Sequence, residues 1–257
     1  MSFDRARAYG DGVFETIAII GGKPQHWHRH MQRLHRGCRV LGLALPDPSQ
    51  LLQRLIGEAD PTQKQVARIA VCRQGDRGYR AEFVCADVDI EICLSAWPPH
   101  YDDDMASGVA LQWPTTRMPL DPLLGGLKHL NRLHEVIAAS AGSAMTVTMD
   151  THDRIVGATA ANLFLRCGHR VYTPPTTHCG VAGVMRGVVI DALAGGQSDQ
   201  VHAVVVRPLV AEDIGRASEV WITSALRGVC SVNRIGDNAF MSREVADQLR
   251  SLIGADH

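Results

Sequence analysis

Hydrophobic and polar positions along this chain switch repeatedly between a two-residue and a helical period, so the pattern predicts strands and helices interleaved throughout. Val13 to Ile20 is rich in β-branched and apolar residues and runs into Gly21-Gly22, a strand followed by a turn. From His28 to Leu41 the apolar residues Met31, Leu34, Cys38 and Leu41 recur at close to the helical period. Gly42 stops that helix, and Pro46-Asp47-Pro48 breaks the chain behind it. Leu51 to Ile56 begins another helix. Gln65 to Cys72 and Ala81 to Leu94 read as strands around the turn-rich Gly75-Asp76-Arg77-Gly78.

Pro98-Pro99 and Tyr101-Asp102-Asp103-Asp104 interrupt the pattern and place a domain boundary near residue 105. The expectation is a smaller α/β domain over 1–105 and a larger one over 106–257. Strands follow at Val109–Trp113, Met145–Met149, Leu163–Arg166 and Val201–Val206, with Glu219–Thr223 as a last short one. A helix is predicted after Gly183. Another carries Leu127, Leu130, Leu133 and Ile137 on one face, with Lys128 off that stripe near its start. The mixture predicts α/β (α+β) architecture in two domains, with ligand chemistry in the interdomain cleft.

Composition narrows the function classes. A formal net charge of −1, from 26 basic and 27 acidic residues, makes no electrostatic case for nucleic acid or an anionic membrane. Seven scattered cysteines without a C-x-x-C pair read as reduced thiols in a cytoplasmic protein. No signal peptide fits the charged start, and no uncharged run has the length of a membrane span. His26, His28 and His30 alternate, but no carboxylate or thiol neighbours complete a metal site, so packing or surface roles and no metal are expected.

Three features carry candidate chemistry. Lys128 follows Gly125-Gly126, which let the backbone turn closely and leave room for a reactive amine. Gly180-Val181-Ala182-Gly183-Val184-Met185-Arg186 leads into a helix, whose first amides are unpaired donors suited to a phosphate. Thr16 lies on the first strand, where a hydroxyl can place water, relay a proton, or simply pack.

Gly125-Gly126-Leu127-Lys128-His129-Leu130-Asn131-Arg132-Leu133 resembles the aminodeoxychorismate lyases, fold-type IV pyridoxal-phosphate enzymes of the branched-chain aminotransferase-like superfamily. The same resemblance runs through Tyr9-Gly10-Asp11-Gly12-Val13-Phe14-Glu15, Ala160-Ala161-Asn162-Leu163-Phe164, the Gly180–Arg186 loop and Glu219–Leu226, in the family's order and over nearly the whole chain.

The resemblance implies pyridoxal 5'-phosphate on Lys128, which also serves as general base. The phosphate would be held by the amides of Val184 and Met185, by the turn Ser224-Ala225-Leu226, and by Arg33 of His30-Met31-Gln32-Arg33-Leu34. Arg77 and Tyr79 become candidates for the substrate carboxylates. The implied reaction converts 4-amino-4-deoxychorismate to 4-aminobenzoate and pyruvate, in folate biosynthesis, in a cytoplasmic homodimer. A D-amino-acid or branched-chain aminotransferase and a non-catalytic homologue are the alternatives.

Two departures stand out. Gly157 occupies the position where the family has a glutamate paired with the cofactor's pyridine nitrogen, so a slow lyase is expected. The family also has an additional strand before the residues matching Asp4-Arg5.

Overall fold

The computed structural model describes residues 4–76, 78–81, 84–140 and 145–254. They form two compact units, Met1–Pro98 with Leu127–Arg132, and Pro99–Gly126 with Leu133–His257. Lys128 therefore belongs with the N-terminal elements.

The first unit is built on an antiparallel sheet of β1 (Gly12–Ile20), β2 (Lys23–Pro24), β3 (Gln65–Arg73) and β4 (Val88–Ala96), in the order β2-β1-β3-β4. Helices α1 (Arg5–Tyr9), α2 (Trp27–Leu41) and α3 (Pro48–Glu58) complete it. Alternation along β1 sends Val13, Ile17 and Ile19 into a core shared with Met31, Leu34 and Cys38 of α2. The expected stop holds: Gly42 caps α2 in the left-handed region, at φ 65°. β4 starts later than the expected Ala81, at Val88.

Residues 127–132 join this sheet. The Phe14 amide donates to the Lys128 carbonyl at 2.9 Å, and the Leu130 amide to the Gly12 carbonyl at 3.0 Å. The expected helix at Lys128 is thus corrected: α5 (Leu133–Ser140) begins only at Leu133. The leucine stripe misleads because its members go to different environments. Leu127 is buried, while Leu133, Val136 and Ile137 are exposed.

The second unit contains α4 (His100–Ser107), where the sequence suggested a linker, and a nine-stranded sheet among the described residues. Its strands are β5 (Val109–Gln112), β6 (Met145–Met149), β7 (Ile155–Ala158), β8 (Asn162–Cys167), β9 (Arg170–Thr173), β10 (Ala203–Val206), β11 (Glu219–Ser224), β12 (Gly228–Ile235) and β13 (Asn238–Ala239). The order is β10-β9-β8-β11-β12-β5-β6-β7, with β13 on β12.

Paired amides of Ala158 and Ala161 fold β7 back onto the start of β8, so the sheet curls on itself. One core fills its inside, with Leu163, Leu165, Val220 and Ile222. The other lies against α6 (Val184–Ala194) and α8 (Glu244–Gly254), and there Phe164 and Trp221 stack at 5.6 Å. α7 (Ala211–Gly215) is short. β11 is followed by two strands and α8, so Glu219–Thr223 is not the last strand.

Candidate active site

Two groups of residues, one in each unit, carry the candidate chemistry. In the first unit Lys128 pairs with Phe14 through the backbone, and its Nζ lies 4.3 Å from the Phe14 ring centroid. Among the described residues that Nζ has no hydrogen bond or ion pair. Burial, then the positive charge of Arg33, push the Lys128 amine down to about 8; Arg132 and Arg68 add to this and Glu15 opposes it. An amine so placed is neutral in part near neutral pH, which a nucleophile or base requires.

Glu15 is the anion of this group. It lies on the core face of β1 and is fully buried. Its carboxylate accepts from Arg33 Nε at 2.8 Å and Nη2 at 2.5 Å, and meets His30 Nδ1 at 2.6 Å. Burial alone would raise the Glu15 carboxyl; the charge and hydrogen bonds of Arg33, with the hydrogen bond of His30, outweigh it and hold the group at about 2. Burial lowers His30, so the ring is neutral and its Nδ1–H donates to the carboxylate.

In the second unit, α6 begins at Gly183 without a side-chain cap, leaving its first amides without that partner. Val184 and Met185 are its first helical residues. Asn162 Nδ2 donates to the Val181 carbonyl at 2.9 Å and so holds the approach loop. A Cβ on Gly183 would fall 2.0 Å from Asn162 Oδ1, so any larger residue there would force the Asn162 side chain to shift. The Ser224-Ala225-Leu226 turn is closed by the Arg227 amide donating to Ser224 Oγ at 3.1 Å. That hydroxyl keeps its own proton to donate. Next to it the Thr223 hydroxyl is buried, with no hydrogen-bond partner among the described residues.

A buried amine with a lowered pKa, under the influence of guanidinium groups, and a glycine-opened helix start coincide with a family match. The model of the amino-transferase class IV family covers residues 12–235.

The chain belongs to the class IV aminotransferases.

Within that family it is 33% identical to aminodeoxychorismate lyase of Vibrio harveyi, over 90% of this chain and 86% of the relative. The crystal structure of 4-amino-4-deoxychorismate lyase from Pseudomonas aeruginosa matches with a TM-score of 0.86 at 32% identity, over 98% of this chain and 93% of that one. D-alanine aminotransferase of Listeria monocytogenes is 23% identical over 90% of this chain and 81% of its own length.

The position where the resemblance implies a glutamate, Gly157, lies in the second unit. Gly157 is buried in β7, directly opposite Thr148 of β6. A Cβ there would lie 2.6 Å from the Ala161 carbonyl oxygen, so the space of a side chain is taken by the hairpin backbone. The buried carboxylates of this unit are engaged elsewhere: Asp150 with Arg154, Asp213 with Arg207, and Glu219 with the amides of Val245 and Ala246.

Other candidates fall in different places. Thr16 is half-buried, two residues from Phe14 and hence on the strand face that carries the ring under Lys128. Arg33 lies in the Lys128 group, with one edge engaged by Glu15. Tyr79 is 93% exposed and packs against Tyr9 with ring centroids 5.3 Å apart. Arg77 lies outside the described residues.

Sequence reasoning missed Glu15 and gave His30 only a packing or surface role. The signal was present. A carboxylate interrupts the apolar alternation of β1, and a helix follows with His30 and Arg33 flanking its apolar residues Met31 and Leu34.

Proposed function

We propose that this protein is a pyridoxal-phosphate-dependent lyase converting 4-amino-4-deoxychorismate to 4-aminobenzoate and pyruvate. One observation carries the reading: Lys128, depressed to about 8 and without a hydrogen bond or ion pair among the described residues, lies in a chain one-third identical to an aminodeoxychorismate lyase. The residues present fit the cofactor. A helix start open at Gly183 and a turn with a donating hydroxyl at Ser224 suit a phosphate, and Lys128 suits an aldehyde.

Pyridoxal phosphate, when bound, supplies a carbonyl that takes up the substrate amine and a ring that draws electrons from the carbon bearing it. The chain's own residues do the rest. The amides of Val184 and Met185 and the Ser224-Ala225-Leu226 turn hold the phosphate, with Arg33 adding its charge. Lys128 removes the proton from the amine-bearing ring carbon of the substrate, and loss of the neighbouring enolpyruvyl ether leaves an aromatic ring. Thr16 positions water or relays the proton, and Tyr79 contributes to substrate-carboxylate recognition.

The gap at Gly157 favours elimination, which ends in an aromatic product, over transamination, which leans harder on a protonated pyridine ring. The reading includes a cytoplasmic homodimer. Seven free cysteines support the compartment, and no helix of the described residues is long and apolar enough to cross a membrane. The exposed Leu133, Val136 and Ile137 on one face of α5 support a second copy as its cover.

Purified protein with added pyridoxal phosphate should release 4-aminobenzoate from 4-amino-4-deoxychorismate, and Lys128→Ala should not. Amino-group transfer to a keto acid, without 4-aminobenzoate, would replace the lyase reading by an aminotransferase.

A further inference from the structure

A carboxylate at position 15 is not what packing asks for. Val13, Ile17 and Ile19 share its strand face and its core, and an apolar residue would complete that row. Instead the chain buries a charge there, which is costly unless it is paired and hydrogen-bonded. It is matched: two nitrogens of one guanidinium edge and one imidazole N–H converge on the two carboxylate oxygens. The donors, His30 and Arg33, stand three residues apart on α2 and so share a helix face.

We propose that Glu15 is a positioning residue for the Lys128 site: with His30 as a third, uncharged donor, it fixes the plane of the Arg33 guanidinium and supplies the anion that offsets it before Lys128. The proposal rests on the reading of Lys128 as the reactive amine. Two-point contact along one edge of Arg33 fixes the direction of its opposite edge, as a single hydrogen bond does not.

The charges around Lys128 make the second half of the role visible. Arg33 comes from α2, and Arg68 from β3 with its guanidinium 4.3 Å from the Phe14 ring centroid. Arg132 comes from the lysine's own segment, held by the carbonyls of His129 and Leu127. His30 is neutral. Against these three cations Glu15 is the carboxylate among the largest influences on Lys128. Its removal would take from Arg33 the carboxylate to which its Nε and Nη2 donate.

The test follows acylation of Lys128 by a small amine-reactive reagent in the full chain, read across pH by mass spectrometry of the Lys128 peptide. The parent should show a midpoint near 8. Glu15→Gln should lower it by about 1 unit, and Arg33→Gln should raise it. A merely structural Glu15 would leave the midpoint unmoved while the protein still melts cooperatively, and that result would overturn the proposal. Should Glu15→Gln fail to fold, Glu15→Gln/Arg33→Gln decides instead. With no guanidinium left to fix or offset, a midpoint above the parent's, toward that of Arg33→Gln, supports the role, and one below the parent's would show Glu15 acting on Lys128 independently of Arg33 and refute it. Labelling does not depend on turnover, so a failed lyase assay leaves this result standing on its own.

Discussion

On the proposed function, the Lys128 group and the α6 start would meet the same kind of demand, holding a charged ligand, with opposite materials. In the first unit the work is assigned to side chains: an amine, three guanidiniums, a carboxylate and a neutral imidazole, whose effect depends on protonation. In the second it is assigned to backbone, with Gly183 opening the helix start and Asn162 holding the loop. The first region should therefore answer to changes of charge and pH, and the second to changes of shape. Three substitutions test that difference.

The largest effect belongs to Lys128→Met. Loss of the base should cut product formation by at least about 100-fold. The same change should stabilise the cofactor-free protein by about 1 kcal/mol near pH 7, because a partly buried cation is replaced by an apolar side chain. Its sign follows from linkage. The folded amine titrates near 8 against 10.5 in the unfolded chain, so between those values the unfolded state binds more protons and stability rises with pH. Below 8 the penalty is fully present. The gap between variant and parent should thus be widest below pH 8 and close toward 10.5. Equal melting temperatures at pH 7 would show that Lys128 carries no such penalty.

On the backbone side, Gly183→Ala should act without any change of charge. Its Cβ would meet Asn162 Oδ1 at 2.0 Å, and Asn162 can yield only by releasing the Val181 carbonyl. Overpacking of this kind costs about 1–3 kcal/mol, or roughly 5- to 150-fold in pyridoxal-phosphate affinity if it falls on the bound state. Gly183→Ala/Asn162→Ala removes the clash, so the double variant should lose less than the two single losses added together. Cofactor titration across these three variants checks it, and strict additivity would mean the residues do not meet.

Much of both regions is legible in the chain, but unevenly. β1, α2 and the Gly42 stop follow from local alternation, and the helix after Gly183 from its glycines and apolar residues. The failures share a cause in long-range pairing. Residues 127–132 look helical because Leu127, Leu130 and Leu133 keep the period, yet hydrogen bonds to Gly12 and Phe14, more than a hundred residues away, hold them extended. β12 escaped notice because Val229, Cys230, Ser231 and Val232 are buried in succession, covered on both faces, and so show no alternation. Glu15 was hidden differently: its partners lie on another element, and only the odd carboxylate in an apolar row marks it. Gly157 could be read as an absence, but the Ala161 carbonyl that fills its place could not.

The smallest effect sharpens the same contrast. Ser224→Ala removes a side chain from the backbone-built region while leaving the amides of Ala225 and Leu226 in place. The Arg227 amide loses its acceptor at 3.1 Å, which costs about 1 kcal/mol of stability. A phosphate would lose one hydroxyl donor among several, so pyridoxal-phosphate affinity should fall by no more than about 5-fold. The loss should be nearly independent of pH, since a serine hydroxyl does not titrate in the working range, whereas loss of affinity in Glu15→Gln should vary as Lys128 titrates. If Ser224→Ala weakened binding more than Gly183→Ala, the phosphate would be held chiefly by a side chain. The division of labour between the two regions would then have to be redrawn around Ser224.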